Sequence, residues 1–148
     1  MVEVSEWSWS VISGPSQNAI ITINGIPYFE PDLAGQHRLQ AIAVGYVVPG
    51  IVDVEVYPGI PMSLEIEILD ETIAQQMKLV TGSEIEMQVY GVDANGNKNP
   101  VDVEKWEIDY GFGNVANASV TTGRYTFTAD GIGFISINAM TGNASGLI

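Results

Sequence analysis

The feature that most constrains this chain is an alternation of apolar and polar side chains, in segments that turn-forming residues separate. Val52, Val54 and Val56 alternate with other residue types, and residues 64–68 and 84–89 repeat the pattern with glutamates between the apolar positions. Successive side chains of a β-strand point to opposite faces, so each segment predicts a strand with one apolar and one solvated face. Glycine, proline and asparagine between the segments are typical of tight turns. The pattern predicts an all-β fold of antiparallel sheets.

One segment does not follow this alternation. Within residues 70–80, Ile73 and Met77 are spaced so that a helical turn would place them on one side. We interpret the segment instead as a loop that leads into a short strand.

Two sequence patterns occur twice, at nearly the same separation. The run that begins at Val2 resembles the run that begins at Val101, which is 99 positions later. A motif of the form F-x-[PA]-D-x-x-G begins at Phe29 and again at Phe127, which is 98 positions later. Two ordered blocks at one offset indicate an internal repeat rather than a chance match.

The repeat leads to a prediction of domain organisation. Residues 1–48 resemble residues 101–148, whereas residues 49–100 occur once. A period of about 98 residues is the size of one small β-sandwich. We therefore predict a tandem repeat of immunoglobulin-like antiparallel β-sandwiches. Residues 1–49 would be the C-terminal half of one module, and residues 50–148 a nearly complete module.

The alternation slips by one residue just before each tryptophan of the repeat, Trp7 and Trp106. Such a slip turns the following apolar side chains to the wrong face unless a β-bulge accommodates one extra residue. We predict bulges around Glu104–Lys105 and around Ser5–Glu6, with both indole rings in the core.

The charge balance excludes some classes of partner. The formal net charge is −13, with 18 acidic residues against five basic ones. A phosphate backbone would be repelled by such a surface, so we predict no nucleic-acid binding. The longest apolar stretch, residues 41–52, is too short to cross a bilayer and is interrupted by glycine and proline. We predict no membrane insertion.

Residues that could perform catalysis are few. The chain has no cysteine and a single histidine, His37, and it contains no G-x-S-x-G nucleophile motif. His37 aligns with Ile135 in the repeat, at an inward position near the start of a strand, which favours a partly buried structural histidine. We predict that the chain is not an enzyme.

Five motifs follow one another in a fixed order along the second half of the chain. They are V-x-V-x-P-G-x-P-x-S-L from residue 54, T-G-S from 81, V-Y-G-V-D-A-N-G-N from 89, W at 106 and Y-T-F-T-A-D from 125. This series resembles the bacterial and archaeal immunoglobulin-like repeats called Big modules, including those of the invasin and intimin type. The resemblance covers about residues 52–141, with a partial copy in 1–48. It implies modules of stalks, adhesins, surface-layer proteins or multidomain secreted enzymes, and no shared catalytic residues.

One loop has the spacing of a calcium site. Asp93, Asn95 and Asn97 place oxygen-bearing side chains at its positions one, three and five, and Glu104 falls at position twelve. An EF-hand loop has this spacing, but it needs glycine at position six, where Lys98 stands. The alternative is a hairpin turn, in which asparagine and glycine accept a positive φ. Calcium binding by these four residues is one hypothesis, and the turn, which we favour, is the other.

Two further kinds of site can be read from the sequence. Asn117 and Asn143 each begin an N-x-S sequence, the acceptor of glycosylation in a secreted protein, although both also suit the short polar turns that we favour. Several aromatic residues could form a sugar-stacking surface, although the first two share one strand face and are explained more simply as core. They are Trp7, Trp9, Tyr28 and Tyr57.

These observations predict a non-catalytic structural or adhesion module, a stalk or spacer of a large extracellular or cell-surface protein. Its partners would be neighbouring immunoglobulin-like modules, a cell-surface protein or a glycan. Two alternatives stay open, a module that binds calcium or glycan and an accessory domain of a secreted hydrolase. Because residues 1–49 lack the first strands of a module, we also expect strand exchange or homo-oligomerisation through this segment.

Overall fold

The computed structural model describes residues 7–76, 78–118, 121–142 and 144–148. Contacts divide the chain into two compact units, Met1–Pro58 and Gly59–Ile148, which we call unit 1 and unit 2. Within the described ranges the chain forms thirteen strands and one short helix, and every strand pair is antiparallel. The predicted all-β class with antiparallel sheets is confirmed.

Unit 1 contains a three-stranded sheet and a hairpin. The sheet has the order β1-β4-β5, so its longest strand lies in the middle, and the hairpin pairs β2 with β3 through a two-residue turn at Asn24 and Gly25. Both turn residues have positive φ, 52° and 80°, which is the conformation that lets so short a turn join twisted strands. The five strands are β1 (Trp7–Ser13), β2 (Ile20–Ile23), β3 (Ile26–Phe29), β4 (Gly35–Ala43) and β5 (Gly50–Val56).

The division between the units falls later than the predicted boundary at residues 49–50. The alternating valines of residues 52–56 were assigned to the start of the second module. In the structure they form β5, which pairs with β4 from Gly50 opposite Ala41 to Val56 opposite Gly35. These hydrogen bonds hold residues 50–56 in unit 1.

Unit 2 contains two sheets. A five-stranded sheet has the path β10-β11-β7-β6, with β8 also pairing with β7, and a three-stranded sheet has the order β13-β12-β9. Their elements are β6 (Ser63–Ile68), α1 (Glu71–Gln76), β7 (Glu84–Val92), β8 (Lys98–Pro100), β9 (Lys105–Tyr110), β10 (Gly113–Asn117), β11 (Arg124–Ala129), β12 (Ser136–Thr141) and β13 (Ala144–Leu147).

The core of unit 2 is contributed by both sheets. Met87 and Val89 of β7 and Phe127 of β11 are fully buried, and Ile137 and Ala139 of β12 belong to the same cluster. Apolar side chains alternate with polar ones along these strands, so each sheet turns one face inward.

The segment interpreted as a loop contains a helix instead. Helix α1 spans Glu71–Gln76, and Asp70 caps its first turn by accepting a hydrogen bond from the Ile73 N–H at 3.0 Å. An aspartate before the first helical residue satisfies a backbone donor that has no partner within the helix, which explains why so short a helix begins there. Met77, the second residue of the predicted apolar side, lies outside the described residues.

The prediction for the tryptophans is wrong for Trp7. Trp7 is 55 % exposed, so its ring is not in the core, whereas Trp106 is half-buried and meets the Tyr125 ring edge-on at 5.0 Å. One extra residue of β9 is Asp109, between pairs with Ser136 and Ile137. At the predicted position, the Glu104 N–H donates to the Met140 carbonyl at 3.0 Å although Lys105 is opposite Met140, an offset of one residue that agrees with a bulge at Glu104–Lys105. Ser5–Glu6 lie outside the described residues.

The two three-stranded sheets share one arrangement of strands. In each, the middle strand lies between two antiparallel neighbours. Trp9 is opposite Ala41 in unit 1, and Trp106 is opposite Ala139 in unit 2. Three residues after each of these tryptophans, the strand carries one extra residue that its partner does not match. By register, Trp9 rather than Trp7 takes the position of Trp106.

A glycine after the first strand of each sheet makes a matching close approach. A Cβ atom added to Gly14 would lie 2.7 Å from the His37 ring, and one added to Gly111 would lie 2.8 Å from the Ile135 side chain. His37 and Ile135 are the residues that the sequence repeat aligns. The two units therefore place glycine where the chain passes directly over the same position of the middle strand.

Candidate functional site

The predicted calcium loop forms the turn between β7 and β8. The Asp93 N–H donates to the Asn97 carbonyl at 3.0 Å, and the Gly96 N–H donates to the Asp93 carbonyl at 3.1 Å. Gly96 has a φ of 83°, which an L side chain rarely adopts. The local sequence Asp-Ala-Asn-Gly-Asn thus supplies the backbone conformations of a tight hairpin turn.

The Asp93 carboxylate holds this turn together. Its Oδ1 accepts hydrogen bonds from the backbone N–H groups of Asn95 and Asn97, each at 2.9 Å. Its Oδ2 accepts from the Gly59 N–H at 2.8 Å and from the Asn97 side-chain amide at 2.9 Å. The Gly59 bond and then the Asn97 amide hold the pKa of Asp93 below its ordinary value of 3.8, at about 2.

The other predicted ligands have different surroundings. Glu104 accepts a hydrogen bond from the Gly142 N–H at 3.1 Å, next to the turn between β12 and β13. Lys98, at position six of the loop, forms an exposed ion pair with Glu65 at 2.6 Å. The structure brings Asp93, Asn95 and Asn97 together in one turn and gives Glu104 a separate partner. Calcium binding stays a prediction.

The described residues contain no group of three or more histidine, cysteine, aspartate or glutamate side chains that could hold one metal ion. The glycosylation candidates are only partly described. Asn117 is exposed at the end of β10, opposite Tyr125 of β11. Asn143 and Ser119 lie outside the described residues.

His37 lies inward, as its place in the repeat predicts, but it is fully rather than partly buried, and it connects three segments of unit 1. It is 2 % exposed, its Nε2 accepts from the Ser16 N–H at 3.1 Å, and its Nδ1 lies 3.0 Å from the Gly35 carbonyl. The Phe29 ring meets the imidazole edge-on at 5.3 Å. Because a carbonyl can only accept, the geometry indicates a neutral imidazole with its proton on Nδ1.

The polar groups around His37 do not form a catalytic triad. The Ser16 hydroxyl donates to Asp32 at 2.7 Å and accepts from the Leu33 N–H at 2.9 Å. The imidazole nitrogen that would activate a nucleophile is bonded to a backbone N–H instead of a hydroxyl. The cluster fixes loop conformation and holds no activated nucleophile.

Sequence reasoning missed an exposed apolar face in unit 1. Residues opposite each other in antiparallel strands share a face, so Trp7, Trp9 and Val11 of β1 lie beside Leu39 of β4 and Val52 of β5. Trp7, Trp9 and Val52 are 55 %, 37 % and 44 % exposed. The alternating pattern in β1 was the available signal, and it led to a prediction of burial because an unpartnered face has the same pattern as a covered one.

The second apolar surface is a cleft of about 870 Å³ in unit 2. Its floor is the core of the unit, including Met87, Phe127 and Ile137, and Val80, Ile132 and Phe134 lie at its exposed rim. The lining is mainly aliphatic and aromatic, which suits an apolar occupant better than an ion or a sugar.

No helix among the described residues is long and apolar enough to cross a membrane.

Comparison with known proteins gives little further identification. No protein-family model and no curated protein matches the sequence. Among solved structures, the chain is similar to that of the S-layer protein rSbsC(31-844), with a TM-score of 0.38 and 16 % sequence identity. The match covers 98 % of this chain and 20 % of the other, so this chain spans about a fifth of that protein's length.

Proposed function

We propose that this chain is a non-catalytic structural segment of a tandem-repeat extracellular or cell-surface protein, in which immunoglobulin-like modules act as spacers or carry an adhesive region. The observation that carries the proposal is the matching pair of three-stranded sheets, β1-β4-β5 and β9-β12-β13, within one chain. Two sheets with the same strand order and the same register around Ala41 and Ala139 support one module type used twice.

Further agreement supports a repeat of about 98 residues. Phe29 lies on β3 and Phe127 on β11. Each of these strands is the second strand of a hairpin, and each hairpin follows the first strand of its three-stranded sheet along the chain. Gly35 and Gly133, at the matching distance after these phenylalanines, have positive φ values of 134° and 130°. Shared backbone conformation at aligned positions is more specific than shared apolar character, because few residues other than glycine adopt it.

The polar side chains support a structural role. Asp93 uses both carboxylate oxygens to hold a turn, and His37 uses both ring nitrogens to hold loops. Groups that are fully engaged in folding are poorly available for substrate. Both sheets of unit 2 contribute side chains to one closely packed core. A closely packed core resists deformation, which is the property that a spacer needs.

The experiment is to stretch the full chain from its two ends in a single-molecule force measurement. We expect unit 2 to unfold in one cooperative step that releases about 30 nm of chain, since about 90 residues extend by at most ~3.6 Å each. The Phe127→Ala variant is the control, and its step should occur at lower force. Gradual lengthening of the unmodified chain without a step would contradict the spacer function.

A further inference from the structure

The apolar face of β1-β4-β5 lacks a second layer over much of its area. Leu39 and Ala41 of β4 are buried, but Trp9 and Val52, their neighbours on the same face, remain 37 % and 44 % exposed. The opposite face carries the exposed ion pair between Arg38 and Asp53 at 2.7 Å, together with the exposed Ile42 and Ile51. An apolar sheet face is stable when another layer covers it.

The equivalent face in unit 2 shows what such a layer consists of. Ile137 and Ala139, the residues that match Leu39 and Ala41, are buried in one cluster with Leu64 of β6 and Met87 of β7. Strands β6 and β7 have no counterpart among the described strands of unit 1, which has counterparts only of β9 to β13. The layer that unit 1 lacks is the one that β6 and β7 provide.

A glycine marks the place where β6 approaches. Gly146 of β13 is opposite Ala139, and a Cβ atom added there would lie 2.3 Å from the Leu64 carbonyl oxygen. Gly50 of β5 is opposite Ala41, the matching position in unit 1. A Cβ atom added to Gly50 would meet only Ala41, at 3.9 Å. Unit 1 therefore has the glycine that admits a β6-type strand, with the space above it open.

The hairpin of unit 1 also offers a free strand edge. In unit 2, β11 pairs with β10 on one side and with β7 on the other, where Phe127 is opposite Ile85. Its counterpart β3 pairs only with β2 within the described residues, where Phe29 is opposite Ile20. The second edge of β3 corresponds to the edge on which β11 receives β7, except that Pro27, at the position of Tyr125, has no N–H, so Phe29 is the residue of β3 that can donate there. Unpaired edge strands readily accept another strand.

We propose that unit 1 is completed by a strand pair of the β6–β7 kind from an adjacent module of the same type. Its β7-like strand would pair with the free edge of β3, and its β6-like strand would cross Gly50. Its apolar residues would cover Trp9 and Val52, as Leu64 and Met87 cover β12. The interface between the two sheets of unit 2 identifies this occupant, because there β6 and β7 cover β12 while β7 also pairs with β11. A flat apolar partner would cover the face without pairing with β3. The inference rests on the proposed tandem-repeat function.

The test is a fusion in which a second copy of residues 59–97 is joined directly to Met1 of the full chain. This junction keeps the same number of residues between Val92 and Trp9 as the chain has between Val92 and Trp106. We expect at least tenfold slower hydrogen exchange at the Phe29 amide of β3, which faces the edge away from β2, and a blue shift of tryptophan emission, relative to the chain without the added copy. The matched control carries Met87→Asp and Val89→Asp in the added copy only, and it should show neither change.

A second variant tests the path of the β6-like strand. Gly50→Val should leave the melting temperature of the unfused chain nearly unchanged, because the space above Gly50 is open. In the fusion, the same change should abolish the exchange protection of β3. Gly146→Val should lower the melting temperature of either chain, since the matching space is filled.

Four outcomes would overturn the proposal. Three of them are unchanged exchange of β3 in the fusion, protection that survives Gly50→Val, and burial of Trp7 and Trp9 in the unfused chain through dimerisation, detected by sedimentation equilibrium. Oligosaccharide binding to the same tryptophans in the fusion would also overturn it, because the proposed strand pair covers them. The stretching experiment is judged on the unfolding step of unit 2, so a failure of the fusion is distinguishable from a failure of the spacer function.

Discussion

Units 1 and 2 contain equivalent three-stranded sheets, but their interiors differ. The buried apolar residues of unit 1 are Leu39 and three alanines, Ala19, Ala41 and Ala43. Unit 2 buries large side chains from both its sheets, among them Phe127. The strands of one layer can therefore form with correct register while the core stays small, because most apolar area is removed from water only when a second layer covers the first.

The two units also differ in how they hold the start of the middle strand. Unit 2 has Ile135 packed against its core at this position, and unit 1 has His37 bonded to the Ser16 N–H and near the Gly35 carbonyl. Directional hydrogen bonds thus fix the residue at the start of the middle strand in unit 1, whereas apolar packing fixes the matching residue in unit 2. We expect substitutions at equivalent positions to have different effects in the two units.

The largest difference should appear between the equivalent phenylalanines. Phe127→Ala should destabilise unit 2 by about 3–5 kcal/mol, because it removes a fully buried ring and leaves a cavity. Phe29→Ala should cost less than half as much, since Phe29 is only partly buried. Urea denaturation, with exchange measured separately for each unit, compares the two. Equal losses would contradict the contrast between a filled and an open interior.

His37→Ala should be the next largest effect and should be confined to unit 1. The change leaves the buried Ser16 N–H without its acceptor, and a lost buried hydrogen bond costs about 1–3 kcal/mol. Faster exchange in residues 14–16 and 35–39, with unchanged exchange in unit 2, is the expected readout. The matched control is Ile135→Ala in unit 2, which should act through lost packing and leave unit 1 unchanged.

Asp93 should make unit 2 sensitive to acid. Its folded pKa of about 2 lies below the ordinary 3.8, so its stabilisation is complete above pH 4 and is lost as the pH falls through about 2. Asp93→Asn should lower the melting temperature at neutral pH and flatten its decline between pH 4 and pH 2. Asp109→Asn, an exposed aspartate on β9, is the control and should leave that decline intact.

Calcium should have the smallest effect. The Asp93 oxygens already accept hydrogen bonds from Gly59, Asn95 and Asn97, and an ion would have to replace some of these. We expect melting curves of the full chain in excess calcium and in chelator to superimpose. A clear rise in melting temperature with calcium would show that the folded state binds the ion, and would favour the calcium loop over the turn.

The sequence was sufficient to predict strands where alternation was strict, as in residues 64–68 and 84–89, but it did not identify the partner of each strand. Residues 52–56 alternate equally well in either module, so the boundary was placed before β5 rather than after it. Trp7 was aligned with Trp106 because the residues before them match, whereas hydrogen-bond register gives that position to Trp9. Register depends on contacts between distant strands, which local pattern does not record.

The candidate site was predictable only as a set of residues. Asp93, Asn95 and Asn97 were found from spacing, because a calcium loop and a hairpin turn favour the same residue types. The structure adds a contact to Asp93 from the Gly59 N–H, which lies more than thirty positions away. Sequence spacing within the loop does not contain that information.

The bond between Gly59 and Asp93 also has a mechanical consequence. Tension that enters unit 2 from its first residue reaches this side-chain contact before it reaches β6, which begins at Ser63. The Asp93 carboxylate therefore bears the tension before the backbone hydrogen bonds between β6 and β7 do. The Gly59–Asp93 contact and the core around Phe127 would then together set the force of the single step in which unit 2 unfolds.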